Sequence, residues 1–192
     1  MSISLVKGQK IDLTKGNEGL VNIAFGIGWD TNKYDGNNDF DLDVSVFLLD
    51  ASGKVTGEGD FIFYNQPIHY SGAVNYSGDN RTGAGDGDDE TIKVNLTKIP
   101  SNIAKVSFTA TIYEAETRLQ NFGMVDNSYI RAYNLDTNEE LFKYELNEDF
   151  SLETGIVAGE LYRHNGEWKF AAVGSGYAGG LSTICRNFGL NI

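Results

Sequence analysis

Hydrophobic and polar positions alternate with period two over much of the chain. Val21, Ile23, Phe25, Ile27 and Trp29 fall on one side, and Asn22, Ala24, Gly26 and Gly28 on the other. Ile92, Val94 and Leu96, and then Val106, Phe108, Ala110 and Ile112, repeat the pattern, which is that of half-buried strands. Further strands are expected over residues 42–49, 61–65, 129–133, 141–146, 157–163 and 167–173. The last two are joined by Asn165-Gly166, a hairpin signal because a type I′ turn needs positive φ at both central residues. Helical spacing is confined to one or two turns around 115–122 and to 179–188, where Leu181, Ile184, Cys185 and Phe188 would share a face. Ten or so short strands without a linker or repeat predict a mainly β, single-domain antiparallel β-sandwich with a short C-terminal helix, spanning residues 1–192.

Composition narrows the function. The chain has 23 glycines in 192 residues, as many turns require, and 41% hydrophobic residues, enough for one core. One cysteine excludes an internal disulfide framework. No apolar run approaches a membrane span, and the N-terminal residues lack the apolar core of a cleaved signal, so a cytoplasmic location is expected. The net charge of −12 and a pI near 4.5 exclude a nucleic-acid surface and oppose direct docking on anionic lipid.

The charge is concentrated. Residues 30–43 carry five Asp against one Lys, and residues 79–90 carry five acids against one Arg, so each segment contributes −4. In Asp39-Phe40-Asp41-Leu42-Asp43, alternation places three carboxylates on one face and leads the last into the apolar strand 44–49. A carboxylate drawn toward a core needs a partner, and a metal cation is the economical one there. In the second segment, four glycines among residues 78–90 allow a tight loop whose carbonyl and Asp/Asn oxygens turn inward. Six to eight oxygen ligands suit Ca²⁺ better than Mg²⁺, and the lack of His or Cys in either segment argues against zinc or copper. The helix–loop–helix calcium motif does not apply, because Val44 stands where its glycine should be and the flanks are strands.

These residues carry a family resemblance. Gly28-Trp29-Asp30, Asp39 to Asp43, Asp60 to Gln66, Gly78 to Gly83 continuing through Gly85 to Glu90, Gln120 to Gly123 and Gly159 to Arg163 resemble the TerD family of tellurium-resistance and stress-response proteins. Ala84 departs from the family's pattern, where many members have Glu. The resemblance implies a bacterial, cytoplasmic, non-enzymatic calcium-binding β-sandwich associated with tellurite resistance, working with other tellurium-resistance proteins that include a membrane component and so peripheral to the inner membrane through a partner, without inserting in the bilayer itself. Carried onto this chain, it implies metal ligands among Asp30, Asp39, Asp41, Asp43, Asp79, Asn80, Asp86, Asp88, Asp89 and Glu90, a set whose size permits two Ca²⁺ ions.

Other chemistry reads weakly. His69 and His164 are expected at the surface, in polar turn regions, and Cys185 as a buried thiol. Glu114 and Glu116 read as a polar strand-to-helix connection, with Glu114 a remote additional ligand. Two further functions stand beside the calcium module: a calcium-dependent interaction module docking on a membrane protein or lipid, and a metal-dependent phosphoester enzyme using the same carboxylates.

Overall fold

The computed structural model describes residues 2–31, 39–78, 87–146 and 150–191. Its strands are β1 (Ile3–Leu5), β2 (Lys10–Asp12), β3 (Asn22–Gly28), β4 (Leu42–Leu49), β5 (Phe61–Ile62), β6 (Val74–Ser77), β7 (Glu90–Asn95), β8 (Lys105–Ile112), β9 (Tyr129–Asn134), β10 (Glu140–Glu145), β11 (Gly155–His164) and β12 (Glu167–Tyr177). Two α-helices are described, α1 (Ala115–Arg118) and α2 (Gly180–Asn187), besides three single 3₁₀ turns.

The strands form two six-stranded sheets, ordered β1-β10-β9-β3-β7-β6 and β2-β12-β11-β8-β4-β5, packed as a sandwich. The expected antiparallel pairing holds between neighbours except at β1 and β10, which run parallel. The inward side chains follow the predicted alternation: Ile23, Phe25 and Ile27 meet Val106, Phe108 and Ala110 across the interior. Aromatic rings fill its centre, with Phe25 stacked on Phe108 at 4.1 Å and Phe142 against Phe170 at 4.3 Å between centroids. Asn165 and Gly166 have φ of 52° and 81°, as the β11–β12 hairpin requires.

Two expectations change. The strand expected over 61–65 stops at Ile62, because Phe63 and Gln66 exchange backbone hydrogen bonds that close a turn. The helix expected over 115–122 is one turn: Leu119 adopts a left-handed conformation (φ 54°) and its N–H returns to the Ala115 and Glu116 carbonyls. The C-terminal helix forms as expected, but it does more than end the chain. Ile184, Cys185 and Phe188 pack with Phe47, Leu49, Phe61 and Val157 as a second apolar cluster on the outer face of the β4 sheet. That covering explains why β4 is apolar on both faces over Val46–Leu49.

Candidate metal centre

The described parts of the two acidic segments lie at one end of the sandwich, where β3 ends and where β4 and β7 begin. The backbone N–H of Trp29 donates to Asp89 Oδ2 (2.9 Å), and Asp89 N–H donates to the Ile27 carbonyl (2.9 Å). The Trp29 indole N–H donates to the Phe40 carbonyl at 3.2 Å, tying the end of β3 to the Asp39–Asp43 run. Glu90 is 2% exposed and lies on the inward face of β7 beside Ile92. It crosses to the other sheet, where the Val44 N–H donates to Glu90 Oε2 at 3.1 Å. Strand β5 pairs with β4 only at Val46 and Phe47, so the start of β4 is open to this carboxylate.

In the Asp39–Asp43 run, Phe40 and Leu42 are buried in the core and Asp39 is exposed. Asp41 is buried, with Arg118 Nη2 at 3.9 Å from Oδ2, and its carbonyl accepts from Tyr113 N–H at 2.8 Å. Gln120, also buried, donates from its amide to the Asp39 carbonyl at 3.4 Å. Asp43 is half-buried opposite Thr111. Asp30 accepts from the Asn127 side chain (2.7 Å), and its N–H donates to the Asp126 carbonyl (3.0 Å).

Asp88 is placed differently. Its oxygens accept a two-pronged pair of bonds from Arg131, Nε at 2.7 Å and Nη2 at 3.0 Å, and Tyr129 donates to Oδ1 at 3.1 Å. This carboxylate lies on the outer face of its sheet over Gly26, where an added Cβ would be 2.0 Å from Oδ2. Gly28 likewise makes room for the Tyr129 ring, 2.6 Å from an added Cβ. The small residues on that side of β3 are therefore the floor of an ionic network that Arg131 extends to Glu140 at 3.0 Å. Burial, and then the Asp88 charge, push the Tyr129 hydroxyl well above its ordinary range.

Asp79, Asn80 and Asp86 lie outside the described residues. Among the described residues, no three His, Cys, Asp or Glu side chains stand close enough to hold a metal. The Asp89 and Glu90 carboxylates at this end each accept a backbone N–H, from Trp29 and Val44.

The histidine expectation divides. His164 is exposed, as expected, but His69 is 1% exposed. Its Nε2 faces Asp60 Oδ1 at 3.1 Å and its Nδ1 faces Ser71 Oγ at 2.7 Å. Asp60, 2% exposed, also accepts from the Thr56 N–H at 2.9 Å. The pair holds the connection from β5 to β6, which joins the two sheets along one side. Its sequence signal was Asp60 leading directly into the apolar Phe61-Ile62, since an aspartate carried beside a core needs a partner. Cys185 is buried as expected, and burial pushes its thiol up to about 11. Glu114 is exposed and stands 3.6 Å from Arg118 at the entry to α1.

Residues 1–188 match the TerD domain family. The chain is 63% identical over 192 residues to General stress protein 16U of Bacillus subtilis (strain 168), covering all of both chains. It is 51% identical over 191 residues to Tellurium resistance protein TerD of Serratia marcescens, covering 100% of this chain and 99% of that one. A crystal structure of a homologue of telluride resistance protein from Streptomyces coelicolor A3(2) shares the fold, with a TM-score of 0.72, 20% identity, and coverage of 91% of this chain and all of that one.

Proposed function

Since this chain belongs to the TerD family of tellurium-resistance and stress-response proteins, we propose that it is a non-enzymatic, cytoplasmic calcium-binding member whose acidic loops are ordered by Ca²⁺. The observation that supports this reading is that hydrogen bonds tie the acidic segments to one another at one end: Trp29 N–H to Asp89, the Trp29 indole to the Phe40 carbonyl and, between the sheets, Val44 N–H to Glu90. Carboxylates gathered this way repel one another, and a divalent cation removes that cost while using only oxygen ligands. Asp88 leaves the ligand set in this reading because Arg131 engages both of its oxygens. Asp41 and Asp43 become the principal side-chain donors of the first segment. Two Ca²⁺ ions would lower the net charge from −12 to −8. The protein would act with other tellurium-resistance proteins, among them a membrane component.

The test is calorimetric titration with Ca²⁺, together with melting in Ca²⁺ and in chelator. An ion that binds only the native state adds about 2.7 kcal/mol at 100 times Kd. For a chain of this length that is a rise of roughly 5–10 °C in Tm. Asp41→Asn with Asp43→Asn should abolish the rise. No heat of binding and no shift at millimolar Ca²⁺ would defeat the reading.

A further inference from the structure

The tip of the β11–β12 hairpin carries chemistry that no other part of the chain repeats. Asn165-Gly166 is the single Asn-Gly pair in the sequence, and every other asparagine is followed by a residue with a side chain. An asparagine amide and the backbone nitrogen that follows it can close a five-membered ring. A side chain on the following residue shields that nitrogen, and glycine has none. Here Asn165 and Gly166 are both exposed, and a Cβ added at Gly166 would meet nothing within 4 Å. The last pair of the ladder is His164 with Glu167, so the Gly166 nitrogen stands outside the paired strands.

The fold sets both the cost of the reaction and its consequence. Asn165 holds a φ of 52° in the turn, and its backbone must leave that conformation for the ring to close. Exposed tips open locally at a small fraction of the global unfolding free energy. Below the tip the chain is tied down. Arg163 donates to the carbonyls of Ile103 (3.0 Å) and Ile99 (2.9 Å), and its Cζ lies 4.3 Å from the centre of the Trp168 ring. Trp168 N–H donates to Thr14 Oγ1 at 2.9 Å and the Thr14 hydroxyl donates to Glu167, so the end of β2 is fastened to the first residues after the turn. We infer that Asn165 is a site of spontaneous covalent modification in the native protein, deamidating through a succinimide. The Gly166 nitrogen bonds to Asn165 Cγ and its proton passes to solvent base, while the Cγ–Nδ2 bond breaks and ammonia leaves. Water then opens the ring at either carbonyl, leaving aspartate or isoaspartate. Aspartate keeps the backbone and adds one negative charge to the tip. Isoaspartate adds a methylene to the main chain, which a two-residue turn cannot hold in register, so Glu167 is drawn away from Thr14. No bound ion takes part.

The experiment holds the native full chain in warm, mildly alkaline buffer beside a sample kept unfolded in guanidinium chloride, and follows released ammonia together with the mass of the tryptic peptide His164–Lys169. In both samples that peptide should exchange its amide for an acid and divide into two chromatographic forms, more slowly in the native chain. Asn165→Asp marks the aspartate form. Asn165→Gly, which keeps a turn of positive φ and removes the amide, should lose the reaction altogether. In the isoaspartate form, amide exchange should quicken at Glu167 and Trp168 and stay as it was in the middle of β11. An Asn165 left intact in the native chain after the unfolded chain has converted would overturn the inference, because the turn would then hold the ring open. Conversion spread over other asparagines, or equal ammonia release from Asn165→Gly, would overturn it as well. Unchanged exchange at Glu167 and Trp168 in the isoaspartate form would overturn the consequence drawn for β2.

Discussion

The two outer faces of the sandwich are closed by opposite means. Over the sheet that contains β3, Gly26 and Gly28 lie beneath Asp88 and Tyr129, and Asp88, Arg131, Glu140 and Tyr129 seal the surface with charge-assisted bonds. Over the sheet that contains β4, α2 lays Ile184, Cys185 and Phe188 on Phe47, Leu49 and Phe61. The first closure is directional and depends on ionisation, whereas the second is area removed from water and depends on shape. The acidic loops lie at the end where β3 finishes and β4 begins, so one carboxylate of the acidic run, Asp88, is used by a face while its neighbours Asp89 and Glu90 turn to the loop end.

Removing a ring from the apolar closure should have the largest effect. Phe47 is fully buried, with ring centroids 4.7 Å from Phe61 and 4.8 Å from Phe188. Phe47→Ala should cost about 3–5 kcal/mol in denaturant unfolding, independently of salt. A loss below 1 kcal/mol would mean that the helix is not a true third layer.

Arg131→Ala should cost less, about 2–3 kcal/mol. Breaking a fully buried pair costs more, but the Arg131 side chain keeps 32% exposure against 7% for Asp88. Asp88→Asn in the same background should restore part of the loss, and a double-mutant cycle showing no coupling would contradict the network. This face also has a pH signature. Burial alone would raise the Glu140 carboxyl, but the Ser2 hydroxyl and Arg131 outweigh it and hold it below its ordinary value of 4.5. Its contribution is present above that value and is lost as pH falls through the folded pKa. Arg131→Ala should flatten the acid limb of stability against pH, measured from the shift in denaturation midpoint.

The smallest effect belongs to Cys185. With the thiol raised to about 11, its protonation favours folding fully below the ordinary value of 9.0 and ceases to do so as pH rises through 11. At pH 8 a disulfide reagent should leave the native thiol unmodified and react on unfolding. Phe47→Ala should speed that reaction and Arg131→Ala should not, which separates the two closures by a single readout.

Much of this was legible in the chain because one side of each strand faces a common interior: β7 is half-buried as its alternation predicts, whereas β3 and β8 put the predicted side chains inward but are buried on their other face as well. The run Val44–Leu49 was visible as continuously apolar, but periodicity cannot say what covers the second face, and α2 comes more than 130 residues later. Asp88 was indistinguishable from Asp89 and Glu90 in composition. Its role is set by Arg131, 43 positions away, and by the missing side chain of Gly26. His69 looked like a turn residue because Pro67 and Ser71 flank it, and only the distant Asp60 explains its burial. The convergence of the acidic segments was legible as an expectation, since carboxylates cannot sit beside a core without partners.

The pairing of the sheet edges has a further consequence, for the order in which the molecule assembles. Strand β1 finds its partner in β10, and β2 finds its partner in β12, at separations of about 140 and 160 residues. During synthesis β1 and β2 therefore wait until β10 and β12 have been made, after all the strands between them. Contacts of such span make for slow folding, because the loop entropy is lost before the contacts form. Closure of that side of the sandwich is a late event in folding, and until then the edges of β10 and β12 are available to other chains.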